Sequence, residues 1–362
     1  MQIVSTIAKG RDDLGAARNN RIRIGYSELM PALRRVSANA PGWTRRRAGR
    51  GFTYRDQNGT KLSPDLIARI QELAIPPAWR DVWICPYPNG HLQATGVDAA
   101  GRRQYLYHPR WREQRDQLKF ERVTEAAAHL PTARARVARD LDRDGMPVER
   151  AAAVAVRLLD LGYFRIGNDY YADTSGTFGL TTLERHHVRR RGTGMVFRFV
   201  AKSGIEHLVT IDDPDAIRAL QVMRTRRDGG QRLLAYRASN GWQDLASGTV
   251  NAYLNELFEG DLTAKDFRTW HATVIAAESL ALSTEPGNTA ASRARAIRQA
   301  AVEVAGYLGN TPAIAKGSYV DPRVFDRYEQ GSTIADTARR SYRNLGTRRT
   351  ALERAVLRLL TS

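Results

Sequence analysis

The amino-acid sequence predicts an α+β protein with a small β-rich N-terminal domain and a larger, mostly α-helical C-terminal domain. Short alternating runs of apolar and polar residues, separated by turn residues, fill the chain up to residue 108. From about residue 110, apolar residues recur at the i, i+3, i+4 spacing of amphipathic helices. A length of 362 residues fits two domains. We place them at residues 25–108 and 109–362, behind a flexible polar leader of residues 1–24.

The N-terminal domain contains short strands and one helix. A strand predicted at residues 51–56 runs into a tight turn at Asn58-Gly59. Ser63 and Pro64 then provide the N-cap and first-turn signals of a short helix. Three further strands are predicted at residues 82–85, 91–96 and 103–108.

The C-terminal domain is predicted to be helical with one β interruption. Apolar residues at helical spacing mark segments 121–129, 134–143, 149–161, 214–223, 249–258, 271–282, 290–308 and 345–360. The interruption consists of two alternating runs, 195–201 and 205–211, joined by Lys202-Ser203-Gly204. This pattern predicts a β-hairpin with Lys202 at its tip.

The charge of the chain indicates its class of partner. Lys and Arg outnumber Asp and Glu by 56 to 38, a formal net charge of +18. Such an excess favours nucleic acid first and an anionic membrane surface second, with a merely basic surface as the alternative.

The single cysteine, Cys85, excludes an internal disulfide and fits a cytoplasmic location. We expect neither a membrane span nor a secretory signal, because no sufficiently long apolar run is present.

Tyr319 is the candidate nucleophile. A free phenol has a pKa near 10, so a tyrosine nucleophile needs neighbouring cations that favour the phenolate and stabilise a pentacoordinate phosphorus. Tyr319 ends a segment in which Gly309 closes a predicted helix, Asn310 brings amide donors and Lys316 brings charge. The alternative is an ordinary half-buried tyrosine.

Two arginines are candidates for fixed guanidinium forks. Arg165 lies between Gly162 and Gly167, just after an alanine-rich predicted helix, and its planar group suits two phosphate oxygens. Arg268 follows Lys265 by three residues, which places both on one face of a predicted helix. The alternatives are a structural salt bridge for Arg165 and a solvated charged face for Arg268.

Lys202 could donate a proton to a departing oxygen, although a solvated turn residue is the alternative.

His186 and His187 lie in a basic run, which indicates a DNA-facing or solvated edge rather than a ligand set. No spacing of His, Cys and Asp resembles a metal site, and Gly192-Thr193-Gly194 lacks the context of a phosphate loop. We therefore expect chemistry without a metal or cofactor.

Six longer stretches have distinctive local sequences, at residues 90–98, 101–111, 163–168, 199–204, 265–273 and 309–319. In this order they resemble the type IB DNA topoisomerases of the small poxvirus-like bacterial group. The resemblance covers most of the chain, from about Gly42 to the C-terminus. It implies a catalytic domain of the tyrosine recombinase and topoisomerase IB type, and a C-shaped clamp that closes around duplex DNA.

The resemblance also implies a role for each candidate. Tyr319 would attack the scissile phosphate, form a 3′-phosphotyrosyl link and free a 5′ hydroxyl. Arg165 and Arg268 would bind non-bridging oxygens, and Lys202 would protonate the leaving group. Asn310 stands where the poxvirus relatives have histidine; its amide can donate to a phosphate oxygen but cannot carry charge.

The same matching implies DNA contacts for Asn168, Tyr171, Lys265, Gln93, Tyr105 and Tyr107. The implied activity is relaxation of supercoiled duplex DNA by a monomer, without ATP. One alternative is a tyrosine recombinase or integrase, which shares the catalytic chemistry. The other is a basic DNA-binding protein without chemistry. The pair Lys265 and Arg268 and the segment 93–111 favour the topoisomerase.

Overall fold

The computed structural model describes residues 32–162, 164–167, 169–260, 262–283 and 289–362, without the side chains of Gly162, Tyr170, Tyr171, Asp173 and Ser203. The predicted leader, residues 1–24, lies outside the described residues. A small β-rich region is followed by a mostly helical one, which confirms the predicted α+β class. The chain divides into two compact units after Gln117, whereas the sequence places the boundary after residue 108.

The N-terminal unit is built on one antiparallel sheet. Its strands are β1 (Trp43–Ala48), β2 (Gly51–Arg55), β3 (Arg80–Ile84), β4 (Leu92–Val97) and β5 (Arg103–Tyr107), in the order β2-β1-β3-β4-β5. Helix α1 (Pro64–Glu72) contributes Ile70 to a core that includes Trp43, Val82 and Ile84. Strand β1 was not predicted, because three of its six residues are arginines and only Trp43 is buried.

From residue 109 onward the described helices are α2 (Pro109–Ala128), α3 (Leu130–Leu141), α4 (Val148–Gly162), α5 (Asp169–Ser175), α6 (Pro214–Thr225), α7 (Ser247–Phe258), α8 (Ala264–Leu282), α9 (Ala290–Leu308), α10 (Pro312–Ser318), α11 (Pro322–Glu329), α12 (Ala335–Ala338) and α13 (Leu345–Thr361). Strands β6 (Val188–Arg191), β7 (Gly194–Val200) and β8 (Glu206–Ile211) form an antiparallel sheet, and β9 (Ala235–Ala238) pairs with β10 (Gly241–Asp244).

Helix α4 lies at the centre of the C-terminal unit. Its residues 151–156 are all buried and are mostly alanine, so neighbouring helices can approach closely. It contacts α3, α6, α7 and α8, and α8 in turn packs against α9 and α13. Arg165 follows closely after the end of α4, and Arg268 lies within α8. The packing of these two helices therefore fixes the positions of both candidate arginines.

Each predicted helical segment overlaps an observed helix, and the predicted hairpin at residues 195–211 is confirmed. The basic run at residues 188–191 is an edge strand that the sequence did not predict, because only Val188 is buried and no alternation results. Helix α2 starts well before residue 121, where its side chains are mostly polar. In the part of the chain that the structure describes, no helix has the length and apolarity needed to cross a bilayer.

Candidate active site

The C-terminal end of helix α9 is the scaffold of the site. Gly309 caps this helix in the left-handed conformation, with φ at +61°, and its N–H donates to the carbonyl oxygen of Ala305. This geometry leaves the last carbonyl groups of the helix available to other donors. They lie at the negative end of the helix dipole, where cations are stabilised.

Arg268 donates to one of these carbonyl groups. It lies in α8, whose first turn is fixed by Asp266, since the Oδ2 atom of Asp266 accepts from both N and Oγ1 of Thr263. Arg268 is only 3% exposed. Its Nη2 atom donates to the carbonyl oxygen of Leu308 at 2.7 Å. The guanidinium is therefore held in one orientation by the end of α9.

Arg165 donates to the next carbonyl group along the same turn. Its Nη2 atom lies 3.0 Å from the carbonyl oxygen of Gly309 and 2.7 Å from Oδ1 of Asn310. The two arginines, which are far apart in the sequence, are thus oriented by consecutive residues at one helix end.

The loop that carries Arg165 is held by close backbone contact. The carbonyl oxygen of Arg165 accepts from the N–H of Leu180 at 2.8 Å. Gly167 has a φ of +103°, and a Cβ atom on Gly179 would lie 2.5 Å from the backbone of Gly167. Only glycine permits this approach. The sequence prediction that glycines position Arg165 therefore has a direct physical basis at Gly167.

Tyr319 lies beside both guanidinium groups. It is the residue that caps α10, and its ring centroid is 5.5 Å from Cζ of Arg268. Burial and then the charge of Arg165 lower the pKa of Arg268 to about 10, while Tyr319 opposes the shift by its charge and a side-chain hydrogen bond. Burial also lowers the pKa of Arg165, again opposed by the charge of Tyr319. Tyr319 therefore interacts electrostatically with both guanidinium groups.

Asn310 joins this cluster through Arg165. Because Oδ1 of Asn310 accepts from the guanidinium, its Nδ2 atom faces the other way. Among the described residues, the buried Nδ2 atom has no hydrogen-bond partner, and neither has Nη1 of Arg165. Two donors at this turn are thus available for an anionic ligand.

Lys202 occupies the predicted hairpin tip, in a single 3₁₀ turn between β7 and β8. Its side chain is exposed and forms no hydrogen bond or ion pair with any other described residue. The structure therefore brings Tyr319, Arg165, Arg268 and Asn310 together and leaves Lys202 on an exposed turn. His207, on the second strand of the same hairpin, was not singled out from the sequence, because it lies outside the six distinctive stretches.

A buried ion cluster lies next to the two arginine segments. Asp160, on α4, is paired with Arg134 and Arg349, and both arginines also pair with Glu353 on α13. Nε2 of His271, three residues after Arg268, lies 3.6 Å from Oδ1 of Asp160. The adjacent arginines hold the pKa of Asp160 far below its usual range despite its burial. This cluster ties α13 to both helices that carry the site.

The predicted DNA-contact residues differ in their exposure. Lys265, Tyr105 and Tyr107 are exposed, and the rings of the two tyrosines are stacked on β5 with centroids 6.2 Å apart. Asn168 and the side chain of Tyr171 lie outside the described residues.

Gln93 requires a correction. It is 2% exposed, its Nε2 atom donates to the carbonyl oxygen of Gly90 at 2.6 Å, and its Oε1 atom accepts from Arg69 at 2.8 Å. The amide also reaches the carbonyl groups of Tyr87 and Pro88. All its polar atoms are used to order the turn at residues 87–90, so the side chain is a structural element of this turn and not a surface group that could contact DNA.

Comparison with known proteins gives two family matches. The model of the eukaryotic DNA topoisomerase I catalytic core matches residues 108–343, and that of the bacterial DNA topoisomerase IB N-terminal domain matches residues 51–98. These matches fall on the helical and the β-rich regions, respectively.

The chain is also similar to whole proteins that are named as DNA topoisomerases. The chain is 27% identical to DNA topoisomerase 1B of Acanthamoeba polyphaga mimivirus over 293 residues, which is 77% of this chain and 84% of the viral protein. It is 28% identical to DNA topoisomerase 1 of Schizosaccharomyces pombe over 46% of this chain, but spans only 20% of that longer protein. Because the catalytic-core model matches more than half of the chain, together with the bacterial N-terminal model, the chain belongs to the type IB DNA topoisomerase family.

Proposed function

We propose that this protein relaxes supercoiled duplex DNA by transient cleavage of one strand. The observation that carries the proposal is the position of Tyr319 against Arg268, 5.5 Å from ring centroid to Cζ, with Arg165 acting on the same phenol. A nucleophile and two fixed cations at one point are what attack on a phosphodiester requires.

The cleavage step exchanges one ester for another. After the phenol of Tyr319 has released its proton to solvent, its Oη atom bonds to phosphorus as the bond from phosphorus to the 5′ oxygen breaks, which leaves a 3′-phosphotyrosyl link and a 5′ hydroxyl. Lys202 supplies the proton to the departing oxygen. Arg165, Arg268 and Asn310 stabilise the charge that develops on the non-bridging oxygens.

The reverse reaction reseals the strand after rotation. The free 5′ hydroxyl attacks phosphorus, the phenolate of Tyr319 leaves, and the proton returns to Lys202. Because the number and type of ester bonds are unchanged, the cycle needs no ATP. Strand rotation in the covalent state releases torsional strain, and the reaction proceeds in the direction that relaxes supercoils.

DNA binding involves both units. The net charge of +18 supports binding through phosphate contacts with steep salt dependence. We assign DNA contacts to Lys265, Tyr105 and Tyr107, which are exposed, and to Asn168 and Tyr171 from the sequence. We also propose a catalytic domain of the tyrosine recombinase type, a C-shaped clamp around the duplex, and a monomer that works on the nucleoid in the cytoplasm.

The test is relaxation of a supercoiled plasmid in EDTA without ATP, comparing wild type with Tyr319→Phe. Wild type relaxes the plasmid and forms a covalent adduct at a labelled 3′ end, whereas Tyr319→Phe does neither and still binds DNA. Tyr328→Phe is the matched control, because its buried hydroxyl has no hydrogen-bond partner among the described residues. Relaxation by Tyr319→Phe would remove this tyrosine from its role.

A further inference from the structure

His207 is held in a fixed orientation next to the cleavage site. It pairs with Phe199 across the β7–β8 hairpin, and the two rings stack with centroids 5.5 Å apart and planes at 20°. Phe199 stacks in turn on Phe164, at 5.9 Å and 18°. Since Phe164 directly precedes Arg165, a row of three stacked rings connects the hairpin to the loop of the candidate arginine.

The Nε2 atom of His207 and the Nη1 atom of Arg165 flank the same glycine. A Cβ atom built on Gly309 would lie 2.7 Å from Nε2 of His207 and 3.9 Å from Nη1 of Arg165. Asn310, which accepts from Arg165, is the next residue of the chain. The imidazole therefore lies against the turn that orients the guanidinium and the amide.

Three buried nitrogen atoms at this turn have no hydrogen-bond partner among the described residues. They are Nε2 of His207, Nη1 of Arg165 and Nδ2 of Asn310. Native proteins satisfy nearly all buried polar groups, because a buried donor left unpaired has lost its hydrogen bonds to water without replacing them. A ligand that presents several acceptor oxygens would satisfy all three at once, and a phosphodiester is such a ligand.

We propose that His207 is a further catalytic residue, which donates a hydrogen bond from Nε2 to a non-bridging oxygen of the scissile phosphate. This inference rests on the proposed function, since it adds a fourth donor to Arg165, Arg268 and Asn310 at the same phosphate. The proposal also explains why the row of stacked rings ends beside Gly309 with an imidazole, which has a nitrogen donor, and not with a ring made only of carbon.

The electrostatic surroundings keep the imidazole neutral. Burial lowers the pKa of His207 below its usual value, and the charges of Arg165 and Arg268 lower it further. A neutral imidazole with its proton on Nε2 is a donor at that atom. It stabilises developing negative charge by a fixed dipole and adds no repulsion against the two guanidinium groups.

The test uses single-turnover cleavage of a duplex with a natural scissile phosphate and of its two methylphosphonate diastereomers. In each diastereomer a methyl group replaces one non-bridging oxygen. His207→Ala is expected to slow cleavage of the natural phosphate on the order of 10²-fold, the usual effect of losing one such donor. On the diastereomer that lacks the contacted oxygen, His207→Ala and wild type should cleave at the same rate.

His207→Gln and His129→Ala serve as comparison variants. Glutamine keeps a side-chain N–H donor, so His207→Gln should cleave the natural phosphate faster than His207→Ala. His129 is exposed outside the site, and its alanine variant should match wild type on all substrates. If His207→Ala slows all three substrates by the same factor, or slows none, the assignment is overturned. If wild type cleaves no substrate, the proposed function fails instead.

Discussion

Gly309→Ala should destabilise the protein, and the structure gives both reasons. The residue has a φ of +61°, a conformation that costs residues with a Cβ atom roughly 1–2 kcal/mol. The new methyl group would also lie 2.7 Å from Nε2 and 2.9 Å from Cε1 of His207. Forcing a packed ring aside costs about 1–3 kcal/mol.

The two costs are reduced by one gain. Alanine restricts the unfolded chain more than glycine does, which stabilises by about 0.4–1 kcal/mol. The net loss should therefore be about 1–5 kcal/mol in the free energy of unfolding, measured by urea denaturation. Cleavage should slow as well, because the turn orients Arg165 and Asn310.

Gly306→Ala is the matched control on the same helix. Gly306 lies within α9 and is exposed, and a Cβ atom there would meet no other atom within 4 Å. Alanine should stabilise this site by about 1 kcal/mol, so the two variants differ in sign. In a His207→Ala background, Gly309→Ala should lose its steric cost and keep its backbone cost. A Gly309→Ala protein at least as stable as wild type would refute this account of the turn.

Three further predictions concern the ion cluster and the leaving group. Arg349→Met should lower the free energy of unfolding by about 3–5 kcal/mol, because it removes one of the arginines paired with Asp160. A loss below about 1 kcal/mol in urea denaturation would contradict this prediction. Burial and then the charge of Arg349 lower the pKa of His271 to about 3. The stability that the fold gains from neutral His271 is therefore fully present above a pH of about 6.5, the pKa of a histidine in the unfolded chain. It is lost as the pH falls below that value. Wild type should lose about 2 kcal/mol more than His271→Gln between pH 7 and pH 5, and equal losses would argue against a buried neutral imidazole. Lys202→Ala should cleave slowly and regain rate when sulfur, a better leaving group, replaces the 5′-bridging oxygen; absence of rescue would count against proton donation.

Much of the local structure could be predicted from the sequence, because it depends on spacing within short segments. The helix at residues 290–308 and the hairpin around Lys202 follow from apolar periodicity and turn residues. The elements that escaped prediction lack such a pattern. Strand β6 buries only Val188, and the guanidinium of Arg45 in β1 donates to the carbonyl groups of Ile75 and Pro76, a use that no local rule anticipates.

The candidate site was predictable in its members but not in its arrangement. Tyr319, Arg165 and Arg268 each lie in a distinctive local sequence, so their side-chain chemistry could be assigned in advance. Gln93 lies in an equally distinctive segment, yet its side chain is buried and holds a turn. Local sequence indicates that a residue matters, but it cannot distinguish a surface contact from an internal one, because burial depends on the whole fold.

The sequence alone determined the α+β class, the chemical groups available for phosphodiester cleavage and the excess of positive charge. Only the tertiary structure decided that the end of α9 orients Arg268 through Leu308 and Arg165 through Gly309. It also decided that His207 lies against the same turn. The physical reason is that these contacts join residues 40 to 144 positions apart in the chain. Their geometry is set by helix packing and cross-strand register, which no single segment encodes.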